Sequence, residues 1–137
     1  MSCHSDQFRF VIPLVPRTKK NSQRILTGKG GRRYVAPSEI YKQYEKEAAW
    51  FVPKNVCVEW PVNIQAVFYM PTRRRVDLTN LLEALDDVLV RCGYLRDDDC
   101  TIVCAHDGSR VRYDKDKPRT EVVVTRMGLK EDAWTKQ

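Results

Sequence analysis

A chain of 137 residues with 42% hydrophobic and 31% charged side chains has the size and composition of one globular domain able to bury a core without disulfides, not of a disordered segment. No run approaches the ~20 consecutive apolar residues of a membrane span, and residues 1–7 lack the apolar stretch and small-residue cleavage site of a signal peptide, so a cytoplasmic location is expected. The formal net charge of +6 favours a polyanionic partner, because cations placed at phosphates release condensed counterions.

In chain order, residues 7–14 predict a first strand, with Phe8, Phe10 and Ile12 alternating before Pro13. Residues 15–31 are rich in Pro, Gly, Lys and Arg and lack helical periodicity, which predicts a long functional loop. A short strand is expected at 32–35. Pro37 and Ser38 then open a helix, with Ser38 as N-cap and Ile40, Tyr41, Tyr44, Ala48, Phe51 and Val52 at helical spacing, ended by Pro53. Residues 62–70 predict a strand with Ile64, Ala66, Phe68 and Met70 on one face. Residues 77–92 form the clearest helix, its apolar face made by Leu78, Leu81, Leu82, Leu85, Val88, Leu89 and Cys92, with Gly93 as the residue that ends it. Strands are expected at 101–105 and 121–126, joined by a charged connection at 110–119, and the tail from about 128 is polar. This order predicts a single α+β domain, its core at about 8–127, with a mixed sheet and two main helices packed on one face.

Five cysteines, Cys3, Cys57, Cys92, Cys100 and Cys104, form no CxxC pair and read as reduced thiols. Cys100, Cys104 and His106 share parity on the expected strand, but their spacing matches no standard zinc pattern, and buried small apolar side chains are the simpler expectation.

Three features carry chemistry. Arg73, Arg74 and Arg75 run directly into Asp77 at a helix start. Arginines beside a strand end can hold phosphates and a neighbouring carboxylate can hold a metal, although Asp77 alone also fits a plain N-cap role. Opposite the leucines, ~100° per residue places Asn80, Glu83 and Asp87 in one stripe, which also fits a solvated face with Asp87 paired to Arg91. The third feature is Asp97-Asp98-Asp99, three mutually repelling carboxylates that follow the helix after only four residues. Together they read as a carboxylate cluster ringed by arginines. Hard oxygen ligands of this kind suit Mg²⁺, with Mn²⁺ as a substitute, for phosphodiester hydrolysis. Lys19, Lys20, Asn21 and Arg24 in the early basic segment join Arg73, Arg74 and Arg75 as expected DNA-binding residues.

The ordered set Asp77-Leu-Thr-Asn80, Leu85-Asp-Asp-Val-Leu89, Gly93 and Asp98-Asp99-Cys-Thr-Ile102 resembles the signature of the RusA-like Holliday-junction resolvases. The opening Ile12-Pro-Leu-Val-Pro16 with Lys19-Lys20-Asn21 resembles the family's first loop. The resemblance implies a magnesium-dependent homodimeric endonuclease that makes paired cuts in branched DNA, a role in recombination and repair common in phages and prophages, and no small-molecule cofactor. It carries catalytic roles to Asp77, Asp99 and Asp87. Metal ligands are expected among Asp77, Glu83, Asp87, Asp98 and Asp99, with Asp98 able to trade places with Asp99. The chain departs from the best-known members at Thr79, where they have an aspartate, and at Glu83, where they have a lysine. Glu83 or Asp87 would then supply the missing carboxylate and Lys19 or Lys20 the missing ammonium. The alternative is a branched-DNA-binding protein whose cleavage has weakened.

Overall fold

The computed structural model describes residues 7–19, 23–37 and 39–128, with the backbone alone described at 23–26 and 34–37. A mixed sheet of five strands carries the fold. Its strands are β1 (Gln7–Ile12), β4 (Val62–Met70), β5 (Val103–Ala105), β6 (Arg110–Tyr113) and β7 (Arg119–Arg126). The order is β1-β7-β4-β5, and β6 continues beside the far half of β4. β7 is antiparallel to both β1 and β4, while β5 and β6 run parallel to β4. A separate hairpin pairs β2 (Gln23–Thr27) with β3 (Arg33–Pro37).

Strand alternation decides which face is covered. Val62, Ile64, Ala66 and Phe68 on β4, Val122 and Val124 on β7, and Ile12 on β1 are all buried, with Phe8 and Phe10 packed beside them. Helices α1 (Glu39–Ala48) and α2 (Leu78–Arg91) close this face through Tyr41, Tyr44 and Ala48 and through Leu81, Leu85, Val88 and Leu89. The Tyr41 hydroxyl donates to the Ala84 carbonyl across the two helices at 3.4 Å. The opposite face carries Arg9, Val11, Gln65, Val67 and Glu121, none of them buried. The α+β architecture with both helices on one face is therefore the observed one. Among the described residues, no helix is long and apolar enough to cross a membrane.

Three local expectations change. The segment at 15–31 is not all loop, because 23–27 pairs with 33–37 through a turn in which Gly30 and Gly31 take positive φ. The connection at 110–119 contains β6, all of it exposed. β2 and β3 lack an apolar alternation and β6 alternates over only four residues, so their pairing partners more than their own pattern make them strands. Ile40 and Phe51 of the expected apolar set on α1 are exposed, at 57% and 42%, and Ser38 lies outside the described residues.

Candidate active site

Helix α2 ends as its sequence dictates. Gly93 takes φ 86°, a left-handed value that suits a residue without Cβ. The Gly93 amide donates to Val90 O at 3.1 Å, and the Tyr94 and Leu95 amides donate to Leu89 O at 2.9 and 3.1 Å. The chain then pairs with Val58, whose amide donates to Tyr94 O at 2.7 Å while Arg96 N donates to Val58 O at 3.0 Å. This reversal returns the acidic loop at 97–99 to the helix. Burial and the charges of Asp86, Asp87 and Asp97 hold the Asp98 carboxyl above its ordinary pKa. Asp98 thus feels the helix carboxylates. Asp99 does not share this environment. Its Oδ1 accepts from the Thr101 amide at 2.8 Å and from the Thr101 hydroxyl, and these bonds lower its pKa.

Asp87 is partly buried and pairs with Lys19, whose ammonium also stands 5.9 Å from the Tyr41 ring centroid. It does not pair with Arg91, which instead reaches Glu45 on α1 at 3.4 Å. Glu83 is exposed on the outer side of the helix. Asp77 occupies the N-cap position with extended φ −88° and ψ 126°, and its carbonyl accepts the amides of Asn80 and Leu81 at 3.1 and 3.2 Å. Its carboxylate makes no capping bond to the backbone. It accepts instead from the Asn80 side-chain amide at 3.2 Å, so the cap is a backbone feature and the carboxylate projects from an exposed residue.

Just before Asp77, Arg73, Arg74 and Arg75 are exposed. The Arg73 guanidinium lies over the Tyr113 ring at 4.1 Å from its centroid. Among the described residues, none of the three forms an ion pair with a carboxylate. Lys20 and Asn21 lie outside the described residues, and of Arg24 only the backbone, opposite Ala36 in the hairpin, is described.

The sequence reading did not find the pairing of Asp86 with His106. Asp86 sits among the leucines of α2 at 9% exposure. Its Oδ2 meets His106 Nε2 at 2.9 Å, while His106 Nδ1 meets Ile64 O at 2.8 Å. A carbonyl can only accept, so Nδ1 carries a proton. Nε2 then shares one with the carboxylate. Burial opposes the charged ring, but the hydrogen bond and charge of Asp86 and the Ile64 carbonyl outweigh it, and the imidazole pKa is raised. Burial likewise raises the Asp86 pKa, with His106 working against the rise. The segment carrying His106 is pinned to β4. Asn63 and Asp107 exchange two hydrogen bonds at 2.7 and 3.2 Å, and the Ala66 amide donates to Ser109 Oγ at 3.0 Å. An acidic residue beside an apolar stripe is the signal that could have pointed to a buried partner. The cysteines correct another expectation: Cys57, Cys92 and Cys100 are exposed and Cys104 is half-buried, all four free, and His106 is taken by Asp86.

The donor set can be tested against a divalent ion. Among the described residues, no three His, Cys, Asp or Glu side chains converge tightly enough to hold one ion by themselves. Mg²⁺ does not need three, since it commonly takes one or two carboxylates with waters and substrate phosphate. Asp98, raised above its ordinary pKa first by burial and then by the charges of Asp86, Asp87 and Asp97, is the kind of group whose remaining repulsion a cation relieves. The residues present fit such an ion.

The family model for Endodeoxyribonuclease RusA matches residues 13–125, a span that includes Asp77, Asp87, Asp98 and Asp99. The crossover junction endodeoxyribonuclease RusA of Aquifex aeolicus (strain VF5) is 24% identical over 101 residues, covering 72% of this chain and 77% of that protein. With the family model matching most of the chain, this protein belongs to the endodeoxyribonuclease RusA family.

Proposed function

We propose that the protein is a divalent-metal-dependent endonuclease that resolves four-way and related branched DNA. The observation that carries this reading is Asp98: the acidic loop turns back onto α2 so that its carboxylate stands in the field of Asp86 and Asp87. Membership of a nuclease family supports the same reading. In it one or two of Asp77, Asp87 and Asp98 would hold Mg²⁺ or Mn²⁺, with waters and substrate phosphate completing the shell. Asp98 takes the part that the pattern of the sequence gave first to Asp99, because the Asp99 carboxylate is committed to the turn at Thr101. When bound, the ion lowers the pKa of a water and offsets charge on the phosphoryl oxygens. The chain's own groups do the rest. Arg73, Arg74 and Arg75 hold the flanking phosphates, and Lys19 neutralises Asp87 until substrate arrives. Hydrolysis forms one P–O bond from water and breaks one P–O ester bond, the water's proton leaving through the carboxylates and the departing sugar oxygen taking up a proton from solvent. Two copies related by a twofold axis would present two such sites to a twofold junction, which accounts for paired cuts in recombination and repair.

The test is cleavage of a synthetic four-way junction. Cutting is expected with Mg²⁺ or Mn²⁺, with Ca²⁺ supporting binding alone. Full activity in excess EDTA removes the metal from the reading. Thr79 and the outward-facing Glu83 favour a second reading, a junction-binding protein with weakened cleavage, which tight binding without metal-dependent nicking would establish.

A further inference from the structure

We propose that a groove beside β6 binds an unpaired stretch of DNA strand, with a base stacked at Tyr113 and the adjoining phosphates held by Arg73, Arg74 and Arg112; the inference rests on the branched-DNA reading and adds a subsite to it. β6 is an edge strand, in register with β4 so that Met70 faces Tyr113 and Phe68 faces Val111. A period of two puts Val111 and Tyr113 on the face that the helices cover elsewhere. Phe68 there is 1% exposed, yet Val111 and Tyr113 are 37% and 42% exposed. The helices leave this corner of the sheet open, and an aromatic ring stands in it.

The groove has a volume of about 640 Å³ and is walled by Met70, Arg73, Arg74, Val111, Arg112 and Tyr113 among others. It adjoins a second of about 490 Å³ that shares Met70, Thr72 and Arg74 and leads past Arg75 and Val76 towards Thr18. Val76 precedes Asp77, and Thr18 precedes the Lys19 that pairs with Asp87. The combined trough therefore runs from the aromatic corner to Val76 and Thr18, the sequence neighbours of Asp77 and Lys19.

Its charge is available to a ligand. Among the described residues, no carboxylate pairs with Arg73, Arg74 or Arg112, whereas nearby Arg119 is clamped by Asp114 at 2.9 Å and Glu121 at 2.8 Å. Phosphates complement free guanidinium groups in any DNA. The ring adds a narrower demand. Bases inside a duplex have their faces covered by neighbours, so an aromatic platform is useful to a strand whose bases are unstacked. Arg73 already lies over this ring, and its planar guanidinium supplies a further stacking surface. A junction whose arms must open beside the cut would present such a strand.

The experiment measures binding of the full chain, in EDTA, to a short single-stranded oligonucleotide containing 2-aminopurine and to the fully paired duplex of the same sequence. Tyr113→Leu is expected to weaken single-strand binding about tenfold and duplex binding by less than about twofold. Tyr113→Phe should stay within about twofold of wild type on both, because the ring remains. Arg112→Ala should weaken both DNAs together. Equal loss on the two DNAs in Tyr113→Leu, no loss on either, or a Phe variant as damaged as the Leu variant overturns the subsite. If wild type still cuts a four-way junction with Mg²⁺, such a result removes the groove inference alone. Failure of wild type both to bind any DNA and to cut removes the endonuclease reading with it.

Discussion

Asp86 and Asp87 are consecutive residues of one helix with opposite surroundings. A turn of ~100° takes Asp86 into the apolar face, where His106 meets it, and takes Asp87 to the edge, where Lys19 meets it. The first carboxylate is enclosed by the protein's own groups. The second faces a flexible ammonium that substrate or a cation can displace. The acidic loop repeats the contrast, with Asp99 tied into a turn and Asp98 left in the field of other carboxylates. Adjacent identical residues are thus sorted by what packs against them, and a carboxylate available for chemistry is one whose partner solvent, substrate or a cation can replace.

The sharpest test of this contrast is cleavage. Asp98→Asn and Asp77→Asn should each lower the junction-cutting rate about a thousandfold, equivalent to ~4 kcal/mol of lost transition-state stabilisation, with binding retained. Asp99→Asn should cost less than about tenfold, reflecting a loosened turn. A rank order with Asp99 above Asp98 breaks the comparison.

The enclosed pair should show itself in stability. His106→Ala leaves Asp86 without its only side-chain partner among the described residues, and is expected to cost ~2–4 kcal/mol in urea unfolding. The double change His106→Leu, Asp86→Leu should cost less than the single one, because no charge is then stranded. A harmless His106→Ala would place Asp86 in water.

The same pair predicts a pH dependence with a definite sign. Both pKa values are raised in the folded state, so the native protein holds each proton more tightly than the unfolded chain. Stability from His106 is fully present below pH 6.5 and is lost as pH rises through the raised value, while the Asp86 contribution falls from pH 3.8 upwards. Asp99 and Asp114, with lowered pKa values, act in reverse and lose their contribution as pH falls below 3.8. Urea midpoints at pH 6, 7 and 8 should decline in wild type and flatten in His106→Ala. A rise across that range contradicts the assignment.

Smaller effects are expected on the exposed side. Replacing Arg73, Arg74 and Arg75 by Ala should reduce the salt dependence of DNA binding by up to about three phosphate contacts, and an unchanged slope moves the DNA elsewhere. Glu83→Gln should leave cleavage within a small factor and stability within ~0.5 kcal/mol. A heavy loss there would revive Glu83 as the replacement for an aspartate at Thr79.

The sequence by itself determined the elements whose side chains face a single environment. Leucines at helical spacing set α2 and its end at Gly93, and strict alternation set β4 at residues 62–70, because each pattern buries one face and only one secondary structure does so. The candidate carboxylates were legible as a type of chemistry, and the short link at 93–96 allowed the acidic loop to return near its helix. What the tertiary structure alone decided concerns pairing across distance. Strands β2 and β3 carry no apolar period and β6 alternates over only four residues, so their partners define them. His106 lies twenty residues from Asp86 and reaches it because the turn after β5 is fastened to β4. The proposed preference for Asp98 over Asp99 rests on a local hydrogen bond to Thr101, while the exposure of Val111 and Tyr113 beside the buried Phe68 follows from what the helices cover. Period and composition record what each residue prefers to face, whereas the partner that meets it is fixed only when the layers close.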